Sequence, residues 1–296
     1  EDAVKASKEL GLTLTSRNKE KGTDVPLAGV PYHSAASYIS RLVSKGYKIA
    51  ICEQTEDPKA AKGIVKREVV RIVTPGTVID VDTLDARSNN YLMSITASEG
   101  KFGIAYIDIT TGEFKVTETE NDKDCMKIIN ELNKIEPKEV LTTASFYEEI
   151  KELLDDYASK NEAMATSVSK VRDSEKFLSD YFEVVSLESY GIKGKKAAIE
   201  AAAMVLDYTL AMQADKELTM EKIEYINVTD YAEINSITAK NLELTRNQRE
   251  KTVFGSLLWV LDKCKTSMGT RLLKKYINNP LLNKEEILKR QEDVKY

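Results

Sequence analysis

The amino-acid sequence predicts a mixed α/β protein that ends in an all-α segment. In several short runs of the earlier part of the chain, apolar residues alternate with polar ones, which is the period of half-buried strands. Over residues 255–277 the apolar spacing is helical instead. The sign of the net charge also changes twice along the chain, which divides it into residues 1–78, 79–215 and 216–296.

Residues 1–78 are predicted to form a small α/β domain. Gly11 suits the end of a first helix, and Ser34 suits the N-cap of a second. The expected elements are helices up to Leu10 and over residues 35–45, and strands over residues 12–14, 47–52 and 68–73. The domain holds 13 Lys and Arg against 9 Asp and Glu, and its net charge of +4 suits contact with nucleic acid.

Two polar connections of this domain carry basic side chains that are suited to phosphate groups. One connection covers residues 16–22 and the other joins the two later strands over residues 58–67. Contacts to phosphates position a protein on nucleic acid without reading its sequence. The predicted nucleic-acid-binding residues are Arg17, Lys19, Lys21, Lys62, Lys66, Arg67 and Arg71. Each of them alone is also compatible with an ordinary solvated surface charge.

Residues 79–215 are predicted to form a larger α/β domain. Short turns centred on Gly100 and Gly112 separate three strands, as expected for consecutive hairpins. The expected elements are strands over residues 91–97, 102–109, 113–117 and 139–142, and helices over residues 124–135, 146–154 and 197–213. The order β-β-β-α-β-α is that of an RNase H-like fold. This part holds 15 Lys and Arg against 27 Asp and Glu, a net charge of −12 that disfavours contact with phosphates.

An RNase H-like fold raises the alternative that the chain is a nuclease with flanking domains. Two-metal phosphoryl chemistry needs several carboxylates that converge on the metal ions. Asp108 is the candidate, but it lies at the end of a hairpin strand, and the strand over residues 139–142 offers only Glu139 at its edge. We therefore expect Asp108 to bind the turn at residues 110–112 instead.

Other catalytic, metal and nucleotide sites are not indicated. The lone histidine, His33, has no partner motif for nucleophilic catalysis, and we expect it to pack beside Tyr32. Three cysteines lie far apart without a CxxC pair, which predicts reduced thiols of a cytosolic protein. The stretch GIKGKK at residues 191–196 lacks the spacing and the Ser or Thr of a phosphate-binding loop. No apolar run reaches the roughly 20 residues that would span a bilayer.

Residues 216–296 are predicted to begin an all-α core. Two helices are expected, one with an apolar face over residues 255–261 and one from Met268 that Pro280 ends. Trp259 lies on the apolar face and is expected in the core. The strings NLELTRN and GSLLWVLDKCKTSMGTRLLKKYINNPLL in this part resemble the start of the core, or lever, domain of the MutS family of DNA mismatch-repair proteins. Asn235 departs from the family, which more often has Asp there.

The other two parts resemble the same family, in the family's order. LAGVPYH, AICEQ and RIVTPGT resemble its mismatch-recognition domain, and FGIAYIDITTGEF resembles its connector domain, which has the RNase H-like fold. The resemblance is weak over residues 157–187. Family members read a mispair with a Phe-x-Glu motif that would lie just before Glu1, and Phe146-Tyr147-Glu148 is not that motif because acidic residues surround it.

The resemblance implies an N-terminal portion of a DNA mismatch-repair protein. Such proteins bind duplex DNA with mispaired or looped bases, form homodimers and use ATP with Mg²⁺ to become a clamp that recruits a MutL-type partner, here at the connector. We expect no cofactor, no metal site and no enzymatic activity in residues 1–296, because the family's ATPase domain lies beyond them. A chain without an initiating Met is expected to be a segment of a longer protein, and a cytoplasmic one. Gly194 is expected to act as a hinge between connector and core.

Overall fold

The N-terminal domain contains two helices and two antiparallel strand pairs. Its elements are α1 (Asp2–Leu10), β1 (Leu14–Arg17), β2 (Val25–Ala28), α2 (Ala35–Ser44), β3 (Ile49–Gln54) and β4 (Arg67–Val73). The computed structural model describes residues 1–17, 25–56, 63, 65–79, 84–213 and 220–295. Helix α1 ends at Gly11 as predicted, with a left-handed φ of 68°. The strand predicted over residues 12–14 runs from Leu14 to Arg17 instead, because pairing with β2 extends it into the polar stretch.

The hydrophobic core of the N-terminal domain is small. Val43 of α2 and Val73 of β4 are buried together with Val78, and Ile39 and Ile49 pack against them with part of their surface exposed. Strands β3 and β4 pair with each other and with no third described strand. The apolar surface that the described residues of this domain bury is therefore small, and a small core stabilises a domain only weakly.

The central domain is built on a six-stranded mixed sheet with the strand order β10-β7-β6-β5-β8-β9. Its strands are β5 (Leu92–Ser98), β6 (Lys101–Asp108), β7 (Glu113–Glu120), β8 (Glu139–Thr143), β9 (Met164–Val168) and β10 (Glu224–Tyr225). Its helices are α3 (Met126–Ile135), α4 (Ala144–Asn161), α5 (Ser174–Tyr181) and α6 (Lys196–Met212). The predicted order β-β-β-α-β-α is confirmed and continues with β9 and α5, which the sequence pattern did not indicate.

Helices cover both faces of this sheet. On one face α6 is almost entirely buried against β5, β6 and β7, and on the other face α3 and α4 pack over residues such as Ile95 and Ile104. Helix α6 approaches so closely that a Cβ at Gly103 would lie 1.9 Å from the carbonyl oxygen of Ala197. The small residues of α6 are therefore explained by contact with the backbone of β6.

The C-terminal segment consists of short helices that lie beside the central domain. They are α7 (Ser236–Asn241), α8 (Leu257–Leu261), α9 (Ser267–Asn278) and α10 (Lys284–Val294). The two predicted helices are present as α8 and α9. Trp259, which is predicted in the core, is 48% exposed among the described residues and packs edge-to-face on Phe254, which is exposed as well. Of the apolar residues of α8, only Leu258 is buried.

The hinge predicted at Gly194 is wrong. Gly194 has a left-handed φ of 75°, but the chain on both sides of it belongs to the central domain. Ile192 before it and Ala198 after it are fully buried in the same hydrophobic cluster. The amide of Lys195 also donates to the carbonyl oxygen of Ile192 at 3.0 Å. Gly194 thus makes a tight turn inside one domain and does not separate two.

Candidate nucleic-acid interface and domain junctions

The structure does not describe four of the seven predicted nucleic-acid-binding side chains. Lys19, Lys21 and Lys62 lie outside the described residues. Arg17 is the last residue of β1, opposite Val25, and only its backbone is described. Their roles in phosphate binding stay predictions.

Lys66 and Arg67 lie on the surface at the start of β4. Both are exposed, and Arg67 pairs across the strands with Gln54. The Nζ of Lys66 lies 2.6 Å from a carboxylate oxygen of Glu68, and this hydrogen bond and its charge lower the pKa of Glu68. Both partners of the ion pair are solvated, so the pair adds little to stability and leaves Lys66 available for exchange to a phosphate.

Arg71 differs from these two residues. It pairs across the strands with Ile51, on the face that carries Ile49 and Val73 into the small core, and it is half-buried. A β-bulge at Val70 separates it from the start of the strand, because Ile51 faces Arg71 while the next residue, Cys52, faces Val69. The bulge therefore interrupts the regular strand between Arg67 and Arg71.

The prediction that His33 packs beside Tyr32 is wrong. Both residues are exposed on a single 3-10 turn over Tyr32–Ser34, and Tyr32 is 93% exposed. The residues PYH give no sign in the sequence that these two side chains are exposed. An exposed ring on the basic domain has the chemistry to stack on a base.

The structure confirms that Asp108 binds a turn. One carboxylate oxygen accepts from the amide and the hydroxyl of Thr110 at 2.9 and 2.6 Å, and the other accepts from the side-chain amide of Asn89 at 2.7 Å. The described residues contain no group of three or more His, Cys, Asp or Glu that could hold a metal ion. Asp108 thus has the partners of a structural residue, as predicted from the sequence.

A short turn over Thr74–Thr77 carries the chain from the N-terminal domain to the central domain. Thr74 and Thr77 lie at the two ends of the turn, and their side chains form a reciprocal capping box. Three residues of the central domain then bind it: Glu139 accepts from the turn, Asn90 donates to the carbonyl oxygen of Pro75, and Gln213 donates to that of Thr77. We call this contact the turn junction.

Glu139 lies at the edge of its strand, as predicted, because it is the first residue of β8. Its full burial is not indicated by the sequence. Its carboxylate accepts hydrogen bonds from both domains, from Thr74 Oγ1 at 2.5 Å, Gly76 N at 3.2 Å, Thr166 Oγ1 at 2.9 Å and Tyr208 OH at 2.8 Å. The one sign in the sequence that Glu139 is unusual is its place directly before an apolar strand. Its partners Thr74 and Gly76, which belong to RIVTPGT, become evident only in the folded chain.

A second contact joins the central domain to the C-terminal segment through charged side chains. Glu136 lies 2.7 Å from Nζ of Lys274 and 3.4 Å from Nε of Arg246, and Glu113 lies 3.4 Å from Nζ of Lys275. Burial raises the pKa of Glu136, but Lys274 and Arg246 lower it by a larger amount. The pKa of Glu136 therefore lies below its usual value. We call this contact the ion-pair junction.

Glu113 also binds groups of its own domain. It accepts from the hydroxyl of Tyr91 at 2.7 Å and pairs with the buried Lys115. Burial lowers the pKa of Lys115, while burial and the charge of Glu113 raise the pKa of Tyr91. The carboxylate of Glu113 is thus held by the sheet and shared with the C-terminal segment.

Comparison with known proteins accounts for almost the whole chain. Residues 1–82 match MutS domain I, residues 90–224 match MutS domain II and residues 237–296 match MutS domain III. The chain is 50% identical to the DNA mismatch repair protein MutS of Fusobacterium nucleatum over 298 aligned residues, which cover 100% of this chain and 33% of that protein.

Two further relatives agree with this match. The DNA mismatch repair protein MutS of Lachnoclostridium phytofermentans is 44% identical, with 99% of this chain and 32% of the relative covered. The protein of the same name in Halothermothrix orenii is 43% identical, with 99% and 33% covered. The chain spans about a third of the length of these relatives. Because the three domains occur in order and at high identity, the chain belongs to the MutS family.

Proposed function

We propose that this chain is the N-terminal portion of a DNA mismatch-repair protein that recognises mispaired or looped bases in duplex DNA. The observation that carries the proposal is the match of all three parts to consecutive MutS domains, with relatives named for mismatch repair. The nuclease alternative has no support, because Asp108 is engaged by a turn and by Asn89.

Within this function the N-terminal domain contacts the DNA backbone. Lys66 and Arg67 are exposed at the start of β4, and Lys19, Lys21 and Lys62 add charge on the adjoining connections. Such contacts make binding steeply dependent on salt, with a slope of about −0.9 per phosphate neutralised. Arg71 contributes least to this surface, because it lies on the half-buried face of its strand.

The remaining roles belong to the whole protein of which this sequence is one part. We propose that it binds and hydrolyses ATP with Mg²⁺ outside residues 1–296, forms a homodimer and recruits a MutL-type partner through the central domain. We also propose that it works in the cytoplasm. Among the described helices, none combines the length and the hydrophobicity that crossing a bilayer requires.

A pair of DNA titrations tests the DNA-binding role of this chain. A duplex with one G·T mispair and its matched twin are titrated with the chain at two salt concentrations. We expect non-specific affinity of roughly 10⁻⁴ to 10⁻⁶ M for both duplexes. No preference for the mispair is expected without a stacking Phe, since one base–aromatic stack contributes roughly 1–3 kcal/mol. A strong preference for the mispair would show that other residues, Tyr32 first, read the base.

Deletion of the gene that encodes this chain tests the repair role itself. We expect the spontaneous mutation frequency to rise and to return to its original level when the intact gene is restored. An unchanged frequency would contradict the proposal. Incubation of the chain with duplex DNA and Mg²⁺ or Mn²⁺ tests the alternative, since a nuclease would cleave the substrate.

A further inference from the structure

The turn junction contains a buried carboxylate that two domains share. Thr74 and Gly76 donate to Glu139 from the chain that leaves the N-terminal domain, and Thr166 and Tyr208 donate to it from the central domain. The side chain has no solvent exposure. Four donors on one buried carboxylate satisfy it well, and removal of the acceptor would leave buried donors unpaired on both sides.

Lys48 provides the one cation near this carboxylate among the described residues. Its Nζ lies 3.8 Å from Glu139 and donates to Thr166 Oγ1 at 3.1 Å and to Tyr208 OH at 3.3 Å. Lys48 directly precedes β3, so a second, separate piece of the N-terminal domain reaches the same network. The N-terminal domain is therefore held at two points of one cluster.

The packing around the turn allows little movement. A Cβ at Gly76 would lie 2.9 Å from Cβ of Glu139 and 3.0 Å from Cβ of Leu92. These atoms belong to two neighbouring strands, β8 and β5, that pair with each other. The backbone of the turn is thus in direct contact with the sheet of the central domain. The turn also lies between Val73 and Val78, which belong to the small core of the N-terminal domain.

We propose that Glu139 is a positioning residue that fixes the orientation of the N-terminal domain on the central domain, so that the two move as one body. The carboxylate orients the turn by accepting from Thr74 and Gly76, while Thr166 and Tyr208 orient the carboxylate. A change in how the N-terminal domain sits on a ligand is then passed directly to the sheet. The proposal concerns the coupling of two domains and does not depend on which ligand is bound.

A distance measurement on the Glu139→Gln variant tests the proposal. Spin labels are placed on cysteines introduced at Ser44 of α2 and Ser159 of α4, which are both exposed, in a chain whose native cysteines are replaced by serine. We expect one narrow distance in the parent protein and the loss of that narrow distance in Glu139→Gln. The Gln side chain has an NH₂ group in place of one carboxylate oxygen, so a donor would face the hydroxyl or amide groups that donate to Glu139.

Glu200→Gln is the matched control for this variant. Glu200 is also a buried carboxylate of the central domain, but it pairs with Lys170 at 2.7 Å, inside the same domain. We expect the narrow distance to persist in Glu200→Gln. Hydrogen exchange gives a second measurement, because the amides of Gly76 and Thr77 should exchange about ten- to a hundredfold faster in Glu139→Gln only.

Two outcomes would overturn the proposal. One is a folded Glu139→Gln protein that keeps the narrow distance, and the other is equal broadening in the Glu200→Gln control. Should Glu139→Gln fail to fold, Thr74→Val takes its place, because it removes one donor of the turn and leaves the carboxylate with Thr166 and Tyr208. A narrow distance in folded Thr74→Val, with unchanged exchange at Gly76, would then contradict the proposal.

Discussion

The two junctions of this chain are built from different interactions. At the turn junction, hydrogen bonds converge on Glu139, which is fully buried. At the ion-pair junction, Glu136 and Lys274 meet with 23% and 24% of their side chains exposed. Buried, satisfied networks are directional and specify one geometry, whereas ion pairs that keep part of their surface in water are screened by salt and tolerate rearrangement.

This difference indicates where the chain is stiff and where it can move. The N-terminal and central domains share packed backbone at the turn junction, so they resist relative rotation. The C-terminal segment is held to the central domain by its ion pairs and by polar contacts at the surface of α3, where Asn130 accepts from the amide of Ser236 and the carbonyl oxygen of Lys134 accepts from the side-chain amide of Asn278. We infer that the C-terminal segment moves relative to the central domain more easily at the ion-pair junction than at Gly194, the hinge that the sequence predicted.

The largest effect is expected from Gly76→Ala. The added methyl group would overlap Cβ atoms of Glu139 and Leu92 at 2.9 and 3.0 Å, and strands that are already paired have no room to yield. We expect a loss of about 1–3 kcal/mol in the free energy of unfolding. The measurement is a denaturant titration of the parent and the variant.

Gly29→Ala serves as the control for this prediction. No atom lies within 4 Å of a Cβ built at Gly29, and its φ is not left-handed. We expect its free energy of unfolding to stay within about 0.5 kcal/mol of the parent. Equal losses in the two variants would mean that the turn is not tightly packed against the sheet.

A smaller effect is expected when the ion-pair junction is cut. A double-mutant cycle with Glu136→Gln and Lys274→Met should give a coupling energy of about 1 kcal/mol at low salt. The coupling should fall in 1 M salt, where the Debye length is about 3 Å. A Lys289→Met variant, which changes an exposed lysine of α10, is the control. If the coupling energy between Glu136 and Lys274 did not change with salt, the ion-pair junction would be as rigid and as shielded from water as the turn junction.

Acid should open the ion-pair junction in a definite range of pH. Glu136 has a folded-state pKa below its usual value of 4.5, because the lowering by Lys274 and Arg246 exceeds the raising by burial. Its contribution to stability is therefore fully present above about pH 4.5 and is lost as the pH falls through the lowered pKa. Labels at Ser159 and Glu292 should report one distance from pH 7 to 5 and a broader distribution below pH 4.5. Glu136→Gln should remove this pH dependence.

The comparison also shows what the sequence could predict. Period-two alternation and the turns at Gly100 and Gly112 were sufficient for β5 to β7, because these signals are local. Strand β9 and helix α5 were missed because tertiary contacts define them, the pairing of β9 with β8 and the packing of α5 on α6. The role of Glu139 was missed for the same reason, since its hydrogen-bond partners in the turn are more than sixty residues away.

The candidate DNA surface was predicted with mixed success, for a related reason. Lys66 and Arg67 are exposed as a basic connection suggests, but the β-bulge at Val70 and the pairing of Arg71 with Ile51 could not be read from charge. The exposure of Tyr32 depends on how the turn after Pro31 meets the rest of the domain. Residue types set the chemistry of this surface, and strand register decides which side chains reach it.

The smallest effect on stability is expected from Lys66→Ala. The side chains of Lys66 and Glu68 are 64% and 51% exposed, so the ion pair between them is well solvated, and the denaturant midpoint should not change measurably. Binding of DNA should weaken, however, and the salt slope should become shallower by about 0.9 if Lys66 neutralises one phosphate. Matched and mispaired duplexes should be affected equally, because a phosphate contact carries no base information. Glu68→Gln is the paired test, since release of Lys66 from its carboxylate should strengthen binding. Unchanged affinity in both variants would assign Lys66 to the ordinary solvated surface and leave the DNA contact to the other basic residues of the domain.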